Sequence, residues 1–237
     1  MQIKAKIIVL KTIKYSETSL IVQAFSSTHG KVSFLVKGAR SSKAKLKANL
    51  LQPLSVLEVN YVHHKNKNLH PLYEGRLLVI YETIQVDMVK TGLCLYLLEI
   101  LNRSLSSNEE NRGLFEFVMT FLDYLDHHDR YANLHLFFLL ELTKYFGFYP
   151  VNNYSPEESC FDLELGVFVA HANPGIPEGY GRLFSECLLA TIDTIHEVQT
   201  NRADRANLLE YLEQFYQLHL PNFGTIQSLK VMKIVFE

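Results

Sequence analysis

The spacing of apolar side chains changes once along this chain, near residue 80, and that change sets its fold class. Before it the apolar runs are short and alternating: Ile7-Ile8-Val9-Leu10, then 20–25, 31–37, 54–62 and a fifth over 69–79. Their β-branched and aromatic content predicts strands, with Thr28-His29-Gly30 as a turn in which Gly30 can take positive φ. Five strands in so short a segment predict a small closed barrel, because closure removes the exposed edges of an open sheet. Beyond residue 80 the apolar positions recur three and four apart over 84–105, 114–125, 131–146, 180–198 and 203–220, which predicts helices. Asn108-Glu109-Glu110 provides a start for the second helix, and Gly147 followed by Pro150 a stop for the third. Between Tyr149 and Gly179 the helical period lapses, and Cys160 to Val169 predicts a small irregular hairpin. The expectation is an α+β, multi-domain protein: a five-stranded β-barrel over 1–80, then a helical domain over 81–237 with an irregular insertion around 150–178. No internal repeat or low-complexity run is present.

Charge divides at the same place. Residues 1–80 carry 13 Lys+Arg and three acids (13 − 3 = +10), the remaining residues 10 Lys+Arg and 22 acids (10 − 22 = −12), which sum to the net −2. Such asymmetry points to a polyanion-binding module joined to a part that does not bind polyanions. With 48% hydrophobic residues the chain is not expected to be disordered. No run approaches the roughly 18 apolar residues of a membrane span. The opening Met1-Gln2-Ile3-Lys4-Ala5-Lys6 has no signal-peptide core, so a soluble cytoplasmic protein is expected, with no membrane partner. Cys94, Cys160 and Cys187 are too few and too far apart for a disulfide framework or a cysteine-rich zinc site.

The densest signal is the segment 37–47, where Lys37, Arg40, Lys43, Lys45 and Lys47 are separated by small residues that let backbone approach a phosphate chain. Lys11, Lys14, Lys31, Lys65 and Lys67 are candidates to extend that surface, and Tyr15, Phe25, Phe34 and Tyr61 are candidate base-stacking rings, since single strands are held by charge along the backbone and aromatic faces under the bases. The same rings also serve as core. An alternative class, a metal-dependent nuclease or phosphohydrolase, would start from Asp123, Asp126 and His127, which share one helical face at three- and four-residue spacing. That group comes from one element only, which favours reading it as the polar end of an amphipathic helix. There is no G-x-x-x-x-G-K-[ST] loop, and Pro174 to Gly181 is a turn-rich linker, so neither ATP nor another cofactor is expected.

In order and spacing, Ile8-Val9-Leu10-Lys11-Thr12, Tyr15-Ser16-Glu17-Thr18-Ser19-Leu20-Ile21-Val22, Phe25-Ser26 to His29-Gly30-Lys31-Val32 and Val36-Lys37-Gly38-Ala39-Arg40 resemble the N-terminal domain of the RecO family of bacterial recombination and repair proteins. The resemblance extends with less specific residues through Phe146 to Pro150 and from His219-Leu220 to Gln227-Ser228-Leu229-Lys230. It implies an OB-fold barrel and a helical C-terminal domain. It also implies a non-enzymatic, nucleoid-associated protein that binds single- and double-stranded DNA, anneals complementary strands, engages the tail of single-stranded-DNA-binding protein and acts with RecR to load recombinase. An acidic tail could dock on cations of the helical half, among them Arg182, Arg202, Arg205, Lys230 and Lys233. One departure is plain. Many members carry a four-cysteine zinc loop after the segment matching 147–150, whereas only Cys160 stands here, with Asp162, Glu164 and His171 nearby, so a metal-free hairpin is expected.

Overall fold

The computed structural model describes residues 2–64, 66–107 and 109–228; Lys65, Asn108, Lys230 and Lys233 lie outside the described residues. β1 (Gln2–Lys14), β2 (Leu20–Ser26), β3 (Gly30–Val36), β4 (Val56–Val62) and β5 (His70–Leu77) close into a barrel in the order β1-β2-β3-β5-β4. β1 pairs antiparallel with both β2 and β4, and β3 meets β5 in parallel through Phe34–His70 and Leu35–Pro71. A register shift between Val9 and Lys11 lets one strand serve two neighbours: its first half pairs with β4 and its second with β2. A bulge of this kind bends the strand and strengthens its twist, which is what closure of so small a sheet requires. Gly30 takes φ +57° at the start of β3, as the turn reading expects.

Alternation fills the barrel. Ile3, Ala5, Ile7 and Val9 of β1, Val22 and Ala24 of β2, Val32, Phe34 and Val36 of β3, and Leu57, Val59 and Tyr61 of β4 form one buried cluster. A second layer lies outside it, where Ile8, Phe25 and Val56 are fully buried too. Phe25 meets Phe115 of α2 (Arg112–His127) at 5.3 Å between ring centroids. The compact unit that contains the barrel accordingly takes in residues through Asp87 and Cys94–Asp126, that is, most of α1 (Met88–Ser104) and α2. The start of α2 is capped by Asn111, whose Oδ1 accepts the Leu114 N–H at 2.9 Å.

The second unit comprises Met88–Leu93 and the residues from His127 onward. It holds α3 (Leu134–Phe146), β6 (Cys160–Asp162), β7 (Val167–Val169), β8 (Gly175–Ile176), α4 (Glu178–Leu189) and α5 (Arg202–His219). α3 ends at Gly147 in the left-handed conformation, φ 81°, as expected. The expected hairpin is β6–β7, with β8 added on the other side of β6. Its core is aromatic: Phe161 lies 5.1 Å from Phe168, 4.7 Å from Phe184 and 5.9 Å from Phe215. The helix expected over 180–198 stops at Leu189, because Ala190 is extended and the Thr194 hydroxyl captures the Thr191 N–H at 2.9 Å, opening a turn. Among the described residues no helix is long and apolar enough to cross a membrane.

Candidate nucleic-acid interface

The bulge determines which side chains of β1 face outward. Beyond it, Lys11 pairs with Gln23 and Ile13 with Ile21; Gln23 in turn pairs with Ser33 and Ile21 with Leu35. With a side-chain period of two, Lys11 and Ile13 of β1, Ile21 and Gln23 of β2, and Lys31, Ser33 and Leu35 of β3 share one outer face, opposite in phase to the buried Val22, Val32 and Phe34. Tyr15 continues the β1 row just past the strand and is 61% exposed. Lys37 follows β3 in a turn and is exposed, as is Lys14, which pairs with Leu20 at the same end. This face combines cations, two polar side chains and modestly exposed apolar groups, a composition suited to a phosphate chain and base rings.

The basic segment folds back over that end. Arg40 donates its backbone N–H to Thr18 O at 3.1 Å and its Nη1 to Glu17 O at 3.1 Å, which seats it against the β1–β2 loop. Ala39 and Leu46 are buried anchors. Lys37 and Arg40 thus join the β1–β3 face, but Lys45 does not. Its Nζ lies 3.2 Å from Glu74 Oε1 on β5, so the five cations of 37–47 do not act as one cluster. Lys43 and Lys47 are exposed. Lys67 is exposed on the β4–β5 loop, and Lys65 lies outside the described residues. Lys31 is half-buried, its Nζ donating to the Asn102 carbonyl, and burial holds its pKa below the ordinary lysine value.

Three of the four candidate stacking rings are corrected by their burial. Phe34 and Tyr61 fall on the inward phase of their strands and are 0% and 3% exposed, and Phe25, on the outward phase, is covered by Phe115 and is 0% exposed. No base can reach the first two without unfolding the barrel, or Phe25 without displacing α2. Tyr15 alone of the four is open to a base. The sequence reading missed a group of imidazoles at the Gly30 end of β3, where His29, His63 and His70 stack. Four of the chain's 10 histidines, His29, His63, His64 and His70, fall in the barrel; they come from a turn and two strand ends, so spacing gives no hint that they meet.

The metal-dependent alternative is not supported. Asp126 is 3% exposed, and its carboxylate is saturated: Oδ2 accepts the Glu82 N–H at 2.8 Å, and Oδ1 accepts those of Thr83 at 2.8 Å and Ile84 at 2.9 Å. Burial alone would raise its pKa, but these donors with the Thr83 hydroxyl outweigh that and hold it below the usual carboxylate range. A cation would have to displace three backbone donors. Among the described residues no three His, Cys, Asp or Glu side chains are grouped to hold a metal ion, and Cys160 and His171 are not part of such a group.

A closed five-stranded barrel of order 1-2-3-5-4, with a basic outer face on its first three strands and a helical second unit, defines an OB-like barrel protein of the two-part kind. The model of the family described as Recombination protein O, N terminal, matches residues 1–81, and that described as Recombination protein O, C terminal, matches 85–225. The chain is 37% identical to the DNA repair protein RecO of Flavobacterium psychrophilum over 100% of both chains, and 37% identical to that of Flavobacterium johnsoniae, again over 100% of both. To the DNA repair protein RecO of Bacteroides fragilis it is 33% identical over 97% of each. The chain belongs to the RecO family.

Proposed function

We propose that this protein is a DNA repair and recombination mediator that holds DNA on the outer face of β1–β3 and anneals complementary strands. The observation that supports this reading is the strand register, which puts Lys11 and Lys31 in phase on one outer face, with the exposed Tyr15, Lys37 and Arg40 at the ends of its strands. Neutralised phosphates position a strand without reading its sequence, and bases left free can pair with a second strand. Single- and double-stranded DNA present the same phosphate chemistry and are both ligands in this reading. Annealing needs no bond-breaking step, so no catalytic residue or cofactor is assigned. Residues 1–80 provide the DNA-binding part, and Lys14, Lys43, Lys47, Lys65 and Lys67 extend its field. Residues 81–237, at −12, face away from DNA and present protein-docking surface for RecR, while their cations, among them Arg182, Arg202 and Arg205, take the acidic tail of single-stranded-DNA-binding protein, in a cytoplasmic, nucleoid-associated setting.

Fluorescence anisotropy with a labelled single-stranded oligonucleotide tests the assigned face. A K11E/K37E/R40E variant should bind at least about tenfold more weakly at moderate salt, for all base compositions alike. The charge-matched K4E/K6E/R76E variant, whose changes fall on β1 before the bulge and on β5, should lose markedly less. Equal losses would mean that net charge, not this face, holds the strand.

A further inference from the structure

At the Gly30 end of β3 the barrel carries an array of imidazoles beside a polar cavity. The rings of His29 and His63 stack at 4.3 Å, and those of His63 and His70 at 4.7 Å, with interplanar angles of 30° and 29°. The cavity, about 150 Å³, is lined by Lys31, Ser33, Lys67, Asn68, His70 and Ser107. That is room for a tetrahedral oxyanion with some of its waters. Every polar side chain of this lining carries at least one hydrogen-bond donor, and no carboxylate is among them. Lys31 is a half-buried ammonium whose Nζ is given to a carbonyl, and no carboxylate lines the cavity beside it. A cation drawn out of water without a counter-ion is unfavourable, and an anion entering the cavity relieves that cost.

We propose that this cavity is a proton-linked oxyanion site that takes one phosphate group of the DNA backbone. The identity of the phosphate's donor rests on the DNA-binding reading above; the site's anion chemistry does not. His70, 2% exposed, couples the site to pH. Burial, then the charges of His63, His64, His29 and Lys67, holds its pKa below the ordinary histidine value. Tyr61 of β4 lies tilted against its ring at 5.9 Å, and Lys31 faces the cavity from β3. The α1–α2 connection contributes Ser107 and carries the exposed acids Glu109 and Glu110, of which Glu110 lines a separate cleft with Lys4, Lys6 and Arg112. An anion seated between Lys31, Lys67 and His70 supplies the buried imidazolium with the counter-charge that burial and the neighbouring cations deny it, so binding takes up a proton.

Sulfate is the direct probe, because its double charge is constant across the range in which histidine titrates. Followed by histidine-ring NMR of the full chain, sulfate should shift the His70 resonances saturably and bind roughly tenfold more tightly at pH 5.5 than at pH 7.5. Lys67→Gln should weaken it several-fold and Lys45→Gln should not. An oligothymidylate should move the same resonances and compete with sulfate. Unmoved His70 resonances, equal affinity at both pH values, or indifference to Lys67→Gln would overturn the site. Salt-dependent oligonucleotide binding that leaves His70 untouched would overturn this cavity alone and spare the β1–β3 face. Sulfate binding as expected without any oligonucleotide binding would overturn the DNA reading and, with it, the phosphate donor named here.

Discussion

Asp126 is the residue on which two readings of the chain part. Its carboxylate is the acceptor for the backbone of 82–84 and thereby fixes the path between β5 and α1. Removing it leaves three backbone donors without their acceptor, so Asp126→Ala should lower unfolding stability by about 2–4 kcal/mol in urea titrations while creating or abolishing no nuclease activity. Because its folded pKa is depressed, its contribution is present above the ordinary carboxylate pKa and is lost as pH falls below it. His135 of α3 acts at higher pH. Fully buried, and next to the positive charge of Arg205, it has a pKa pushed down to about 3. A folded-state pKa below the unfolded one means that this site's stability is fully present above about pH 6.5 and declines as pH falls from there. Urea titrations should show a slope approaching ~1.4 kcal/mol per pH unit below that point, and His135→Leu should flatten it. A slope unchanged in His135→Leu would place the acid sensitivity elsewhere.

Among the elements, the β2–β3 hairpin and the hairpin insertion depend on close backbone approach. A Cβ at Gly30 would sit 2.2 Å from the Glu109 carbonyl oxygen at a φ of +57°, so Gly30→Ala should cost on the order of 2–3 kcal/mol and shift the thermal midpoint of the barrel unit downward. In the second unit a Cβ at Gly181 would lie 1.8 Å from the Ser159 carbonyl oxygen, and Gly181→Ala should loosen α4 from the strand entry beside it, visible as faster amide exchange over 159–169. The five strands were legible because their alternation is strong and one face is dry, and four of the five helices because their apolar period runs unbroken. Three things were not. The bulge at 9–11 leaves no mark in composition, yet it decides that Lys11 and Tyr15 face outward together. The stop at Leu189 depends on a threonine pair that bends 191–194, against an apolar period that continues through it. Phe25 reads as a surface ring by its phase, but Phe115 of α2, 90 positions further along the sequence, packs over it.

For the whole molecule the claim is that cations from separate strands act together on one polyanion while the net charge of the chain stays at −2. The local signal, the run at 37–47, was readable in the sequence, but its division between the β1–β2 loop and Glu74 was not, because contacts across the barrel set it. Partner docking should be separable from the DNA face: the full chain should retain the acidic tail peptide of single-stranded-DNA-binding protein in a pull-down that K11E/K37E/R40E does not impair. Titrating a single-stranded oligonucleotide with the full chain between 50 and 200 mM salt tests whether these cations act together. If roughly five cations neutralise phosphates, log K should fall against log salt with a slope of about −3.5. A slope near zero, or no binding at the lowest salt, would contradict it.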